Sequence, residues 1–339
     1  MATANPAADL PLAERLLRPW NVFWFTPRAT DTASVIRIAT GLVALYWAAT
    51  YTADLMNFFG PDGLLPLVDL QRARGSTFPR SLLEFCHTET SVWIFHVAAL
   101  AMLALFTAGF LTPVTGLLSL AVVVSYVQRA PAVTSQAEPV LILLILYSSI
   151  APLGARWSLD AKFWPRKSIN RPGAAPSGRD GDGEMRSWIT TVSTRLIQVH
   201  LTIAYAAMAL AKLNDGVAFV GEPGTYHAWW HGQAVWWLAA RETSPLVDLT
   251  GLLGSNILLV NAWTYAIVIF EAAFAIFIWR PAFRRCLLWA AVPMWLSLAL
   301  ITGLAPFCLL MLVGNLAFVE PASMRRCMAR FAGRGANGS

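Results

Sequence analysis

Six residues have types and spacings that bear on chemistry: Arg37, His200, Tyr205, Lys212, Trp230 and Glu271. Lys212 is one of three lysines, with Lys162 and Lys167, and it follows the apolar run AAMALA inside RLIQVHLTIAYAAMALAKL (195–213). A charge in or at the edge of a bilayer must be paired, carried to the interface or used. Desolvation disfavours the charged form of a lysine, and a neutral amine is a general base. The competing reading is a lysine that snorkels at a helix end beside Asp215.

Tyr205 precedes Lys212 by seven residues, two helical turns and nearly the same face. It therefore points toward any site that Lys212 caps. His200 and Gln198 lie further back on the same helix. For Tyr205 and His200 the alternative is interhelical hydrogen bonding that holds the bundle together. Glu271 stands alone in an apolar segment, and a buried carboxylate needs a partner or a proton. Arg37, Arg195 or His200 could serve; a structural ion pair and a substrate contact are both open. The run Trp229, Trp230, Trp236, Trp237 reads as an interface belt, with Gly232 marking a tight turn or a close backbone approach. His227 and His231 have metal-capable spacing, but no third ligand stands near in sequence, so no metal is expected. Phosphate-binding glycine loops, a GxSxG elbow and an HExxH helix are all missing from the sequence.

The elements that position these residues are membrane helices. The chain is 57% hydrophobic and 13% charged, against about 25% charged in soluble domains. Its net charge of +6 comes almost wholly from arginine. No basic run is interleaved with stacking aromatics, so a nucleic-acid partner is excluded and the charge is read as fixing topology. Four cysteines in unrelated segments make neither a zinc site nor a disulfide framework. The first thirty residues do not read as a cleavable signal peptide.

The fold class expected is all-α: a polytopic integral membrane helical bundle of about eight transmembrane helices. Residues 1–30 form a tail and an interfacial amphipathic segment, in which Pro19 should break or kink any helix. The spans expected are 32–54, 90–110, 113–129, 138–153, 188–212, 253–279, 286–303 and 305–319, the first capped by Asp31 or Thr32. Arg37 lies near the start of the first span, free to snorkel or to pair across the bundle. A non-spanning loop covers 57–88, with a short interfacial helix at 81–88. A flexible linker occupies 154–187, an aromatic loop 213–250, and a basic tail 321–339.

Placing both termini in the cytoplasm puts most arginines and lysines inside, in the N-terminus, 111–112, 154–187, 280–285 and the tail. That distribution obeys the positive-inside rule. Lys212 then faces the non-cytoplasmic side of the cell (inner) membrane.

The segments SVIRIATGL (34–42), FFGPDGLLPL (58–67), ARWSLDAKFW (155–164), the Lys212 helix, WWHGQAVW (229–236), IVIFEAAF (267–274) and TGLAPFCLLML with NLAF (302–318) fall in an order that resembles the HTTM (horizontally transferred transmembrane) domain family. That family is related to the membrane region of vitamin K-dependent gamma-carboxylase. The resemblance implies that Lys212 is the base that deprotonates a reduced quinone of the vitamin K type, with Tyr205 matching the family's tyrosine on the same helix. Oxygen then yields a strongly basic intermediate that serves glutamate carboxylation in the carboxylase. This chain departs from that pattern. It stops soon after the last expected span, without the carboxylase's large lumenal region. Gln136 and Ala137 stand where the family has an Asn-His pair, and Trp295 stands at a frequent histidine position. Quinol oxidation is therefore a better expectation than carboxylation. The partners implied are membrane lipid and a quinone. A non-enzymatic alternative is a membrane partner in the export or maturation of a peptide or protein. A small-molecule transporter is disfavoured, since no internal repeat or paired broken helices stand out.

Overall fold

The long apolar runs form helices, and two of them, Glu89–Ala108 and Pro281–Thr302, stop at the left-handed Gly109 and Gly303. The structure, a computed structural model, describes residues 12–75, 78–150, 157–163, 186–214, 227–241 and 246–336. In chain order the elements are α1 (Leu12–Phe25), β1 (Arg28–Ala29), α2 (Asp31–Thr50), α3 (Leu55–Phe59), α4 (Leu67–Arg74), α5 (Glu89–Ala108), α6 (Thr112–Arg129), α7 (Ala137–Ile150), α8 (Leu159–Phe163) and β2 (Arg186–Ser187). They continue with α9 (Trp188–Asn214), α10 (Ala234–Ala239), α11 (Thr250–Ser255), α12 (Ile257–Phe277), α13 (Pro281–Thr302), α14 (Ala305–Asn315) and α15 (Pro321–Ala336).

Among the described residues five helices, α2, α5, α9, α12 and α13, are long and apolar enough to cross a membrane. The protein is an all-helical membrane bundle. Of the other expected spans, α14 has 11 residues, short of the ~20 that cross a bilayer upright, and α7 has 14 within the described residues, which end at Ile150. α14 and its 3₁₀ extension meet α15 at a 118° bend.

Several boundaries differ from expectation for local reasons. The segment 253–279 divides at Asn256, whose side chain accepts from the Leu259 amide and starts α12 afresh. Pro19 lies inside α1 without ending it. Packing holds that helix: Phe23 meets Trp279 at 5.7 Å, and the Arg195 guanidinium lies 4.2 Å over the Phe23 ring. Asp31 is the first residue of α2 and Thr30 its cap position, with no side-chain capping bond from Thr30, while Thr32 donates from Oγ1 to the Val319 carbonyl at 3.3 Å. Asp31 is buried and faces Arg325 at 3.5 Å instead. Within 81–88 only Leu82–Phe85 is helical, as a 3₁₀ turn. The central part of the linker, 164–185, and Asp215 lie outside the described residues.

Two apolar cores fill the bundle. One joins α2, α5, α6 and α7 around Trp47, Leu103, Phe106 and Tyr126. The other joins α9, α10, α12, α13 and α14 around Tyr205, Phe270, Phe274 and Trp295. β1 pairs antiparallel with β2, with Arg28 opposite Ser187 and Ala29 opposite Arg186. That two-residue pairing fixes the starts of α2 and α9 at one end of the bundle. Lys212 follows Arg195 by seventeen residues on α9, about 25 Å of helix at 1.5 Å per residue. It therefore belongs to the opposite end.

Candidate functional site

Lys212 is paired, and its partner is Glu271. The lysine Nζ donates to both carboxylate oxygens, at 2.8 Å to Oε1 and 2.7 Å to Oε2. The Glu271 side chain is 2% exposed and that of Lys212 15%. The lysine turns back along its helix, with Nζ 3.5 Å from the Met208 carbonyl. That direction follows from the tilt of every helical Cα–Cβ bond toward the N-terminus. Snorkelling toward the helix end is therefore not what this lysine does. The ammonium also lies 4.9 Å from the centre of the Trp229 ring, within the range of a cation–π contact. Arg37, Arg195 and His200, the partners considered for Glu271, are engaged elsewhere.

A cavity of about 350 Å³ opens beside the pair. Its polar lining is Lys212, Glu271, Gln136, Arg241 and Thr302; Met208, Trp229, Ile267, Trp295, Leu298 and Phe307 supply apolar and aromatic walls. The helices α7, α9, α12, α13 and α14 or their flanks thus converge on one space. Such a mixture suits a flat, mainly apolar ligand with a few polar atoms.

Tyr205 does not line this cavity. It is fully buried one layer behind it. Trp295, which does line the cavity, donates from Nε1 to the Tyr205 hydroxyl at 2.7 Å. The same hydroxyl accepts from Asn315 Nδ2 at 3.0 Å, and its ring stacks on Phe274 at 3.9 Å. Tyr205 therefore fixes the plane of the Trp295 indole.

The other candidates lie apart. His200 meets the Tyr147 hydroxyl, 3.1 Å from Nδ1. Arg37 donates from Nη2 to the Trp157 carbonyl at 2.8 Å, on the side of the bundle held by α8. Arg195 donates to the Phe23 carbonyl and to Gln198 Oε1. Trp230 is half-exposed, donates to the Leu213 carbonyl at 3.0 Å and accepts at its own carbonyl from Tyr265. Its neighbour Trp229 is the one that reaches the cavity. Gly232 makes this possible: its φ of +72° closes the turn, and a Cβ there would meet Asn261 Oδ1 at 2.8 Å.

Spacing along the chain missed Trp229 as a site residue, because a tryptophan run reads as a belt. It also missed Asn315, although a lone amide in the apolar run CLLMLVGNLAF was a usable signal. Gln136 and Trp295, noted only as departures from a family pattern, both line the cavity. Among the described residues no three His, Cys, Asp or Glu side chains converge as a metal site.

Chemically, the arrangement places an exchangeable proton on the wall of a mostly apolar cavity. Moving it from Nζ to a Glu271 oxygen converts an ion pair into a neutral amine and a neutral acid, and the pair's total charge stays at zero. No protein-family model, curated protein or solved structure matches the chain.

Proposed function

We propose that this is an eight-span inner-membrane protein of the HTTM type, with cytoplasmic termini, that oxidises a reduced quinone using Lys212 as base. The three short or less apolar helices α6, α7 and α14 complete the eight spans in this reading. One observation carries it: the Lys212–Glu271 pair lines a cavity whose other walls are largely aromatic and aliphatic, with Gln136, Arg241 and Thr302 as the remaining polar groups. A quinol needs that combination, with apolar walls for its ring and a proton acceptor for its hydroxyl.

Glu271 first takes the ammonium proton, and the freed amine then removes the quinol O–H proton. Trp229 and Trp295 hold the ring, and Gln136 offers an amide to the distal oxygen. Overall, one quinol and one dioxygen give one quinone epoxide and one water, so atoms and electrons balance. Positioned base catalysis contributes roughly 10²–10⁴-fold, so Lys212→Ala should abolish measurable turnover.

A photoreactive azidoquinone tests the location. In lipid nanodiscs it should label peptides containing Met208–Lys212 or Thr302–Cys308, and menaquinone should compete. Labelling confined to other peptides would remove the quinone reading.

A further inference from the structure

A second cavity, of about 400 Å³, lies at the end of the bundle opposite Lys212, and five arginines line it: Arg28, Arg186, Arg195, Arg284 and Arg325. They come from five different elements, β1, β2, α9, α13 and α15, so the fold gathers them rather than one basic run. Glu320 lines the cavity with them, and Asp31 stands 3.5 Å from Arg325. Among the described residues the lining carries these five cations and one anion, Glu320, with Asp31 beside Arg325.

Backbone dipoles act on the same space. α2 starts two residues after Ala29, α9 directly after Ser187, and α15 at Pro321, which itself lines the cavity. The partial positive charge at a helix start disfavours a nearby cation and favours an anion. Burial and then repulsion from Arg284 lower the proton affinity of the Arg28 guanidinium, and Glu320 opposes them less strongly. Arg195 is held in place by the Phe23 and Trp279 rings at 4.2 and 5.7 Å and by Gln198. The positive-inside tendency explains arginines at this end, but it operates through solvated loops. It gives no reason for five of them to converge on one concave space against their mutual repulsion.

We propose that this cavity binds a phosphate group, carried by an anionic phospholipid headgroup or by a soluble phosphate ester. Arginine forks pair bidentately with phosphate oxygens, and basic pockets between membrane helices hold phospholipid headgroups in this way. The assignment is independent of the quinone reading.

The purified full chain, delipidated in neutral detergent, is titrated with phosphatidylglycerol, phosphatidylcholine and inorganic pyrophosphate, and bound ligand is counted by native mass spectrometry. Phosphatidylglycerol should bind at least tenfold more tightly than phosphatidylcholine. The double variant Arg28→Gln/Arg284→Gln should weaken it at least tenfold, while the charge-matched Arg72→Gln/Arg80→Gln leaves it unchanged. Pyrophosphate binding with the same variant dependence, without phosphatidylglycerol binding, upholds the phosphate site and makes its ligand soluble. Equal binding by wild type and Arg28→Gln/Arg284→Gln, or no binding of either probe by folded protein, overturns the proposal. Should the double variant fail to fold, Arg284→Lys replaces it, keeping the charge and losing the fork. A threefold or greater weakening then supports the site, and unchanged affinity overturns it.

Discussion

Arg129 and Lys212 are both cations near the end of an apolar helix, and they are handled in opposite ways. Arg129 is fully buried and gives Nη1 to the Leu65 carbonyl and Nη2 to the Gly60 carbonyl, each at 2.7 Å. Its two contacts lie within the segment FFGPDGLLPL, so its positive charge pins a loop against α6. Lys212 meets a carboxylate instead, and both members of that pair line a cavity. Backbone carbonyls cannot take up a proton, whereas a carboxylate can. Burial of a membrane cation thus says little by itself; the acceptor it meets and the space beside it distinguish Lys212 from Arg129.

The largest effect expected is on the pair. Glu271→Ala leaves an uncompensated buried ammonium, and breaking such a pair costs about 3–5 kcal/mol. Thermal unfolding in nanodiscs, followed by tryptophan fluorescence, measures it. A wild-type midpoint would mean that Lys212 finds another acceptor. Arg129→Ala should cost somewhat less, about 2–4 kcal/mol for two charged hydrogen bonds lost at buried carbonyls. Its quinone labelling at Lys212 should stay unchanged, which separates the two cations by readout.

The double variant Lys212→Met/Glu271→Leu sharpens the comparison further. Replacing a buried ion pair with apolar residues is often neutral for stability, so the protein should unfold near the wild-type midpoint and yet show no turnover. Strong destabilisation of this double variant would make the pair a structural element like Arg129. Tyr205→Phe should cost about 1–2 kcal/mol, through the bonds lost to Trp295 and Asn315. It should raise the KM for quinol more than it lowers kcat, because Tyr205 positions Trp295 without touching the cavity. The smallest effect belongs to Arg72→Ala at the exposed Asp69 pair, below ~1 kcal/mol.

Much of this was legible in the sequence, and the reasons for success and failure differ. The long apolar helices α5, α9, α12 and α13 were readable because lipid forces each stretch to satisfy its own backbone. Glu271 and Lys212 were singled out because charge in such stretches is costly. Their mutual pairing was not readable: fifty-nine residues separate them in sequence, and the partners considered for Glu271 were Arg37, Arg195 and His200, not Lys212. The inward turn of Lys212 is a rotamer fact that depends on Glu271 and Trp229 being there. Trp229 and Trp230 are adjacent and chemically identical, so only the turn at Gly232 decides which one enters the cavity. The arginine cavity was hidden for another reason. Its five members lie in separate segments, and the β1–β2 pairing that joins two of those segments involves only two residues on each side.

The most direct test of the Lys212 site is a turnover measurement. Purified protein in lipid nanodiscs receives reduced vitamin K or menaquinol and oxygen, beside Lys212→Ala and Lys212→Arg, and epoxide is quantified by mass spectrometry. Epoxide from the wild type, absent from Lys212→Ala and at least tenfold reduced in Lys212→Arg, is the predicted result. Full turnover by Lys212→Arg, or no epoxide from folded wild type in discs that contain the quinol, would contradict a base at Lys212.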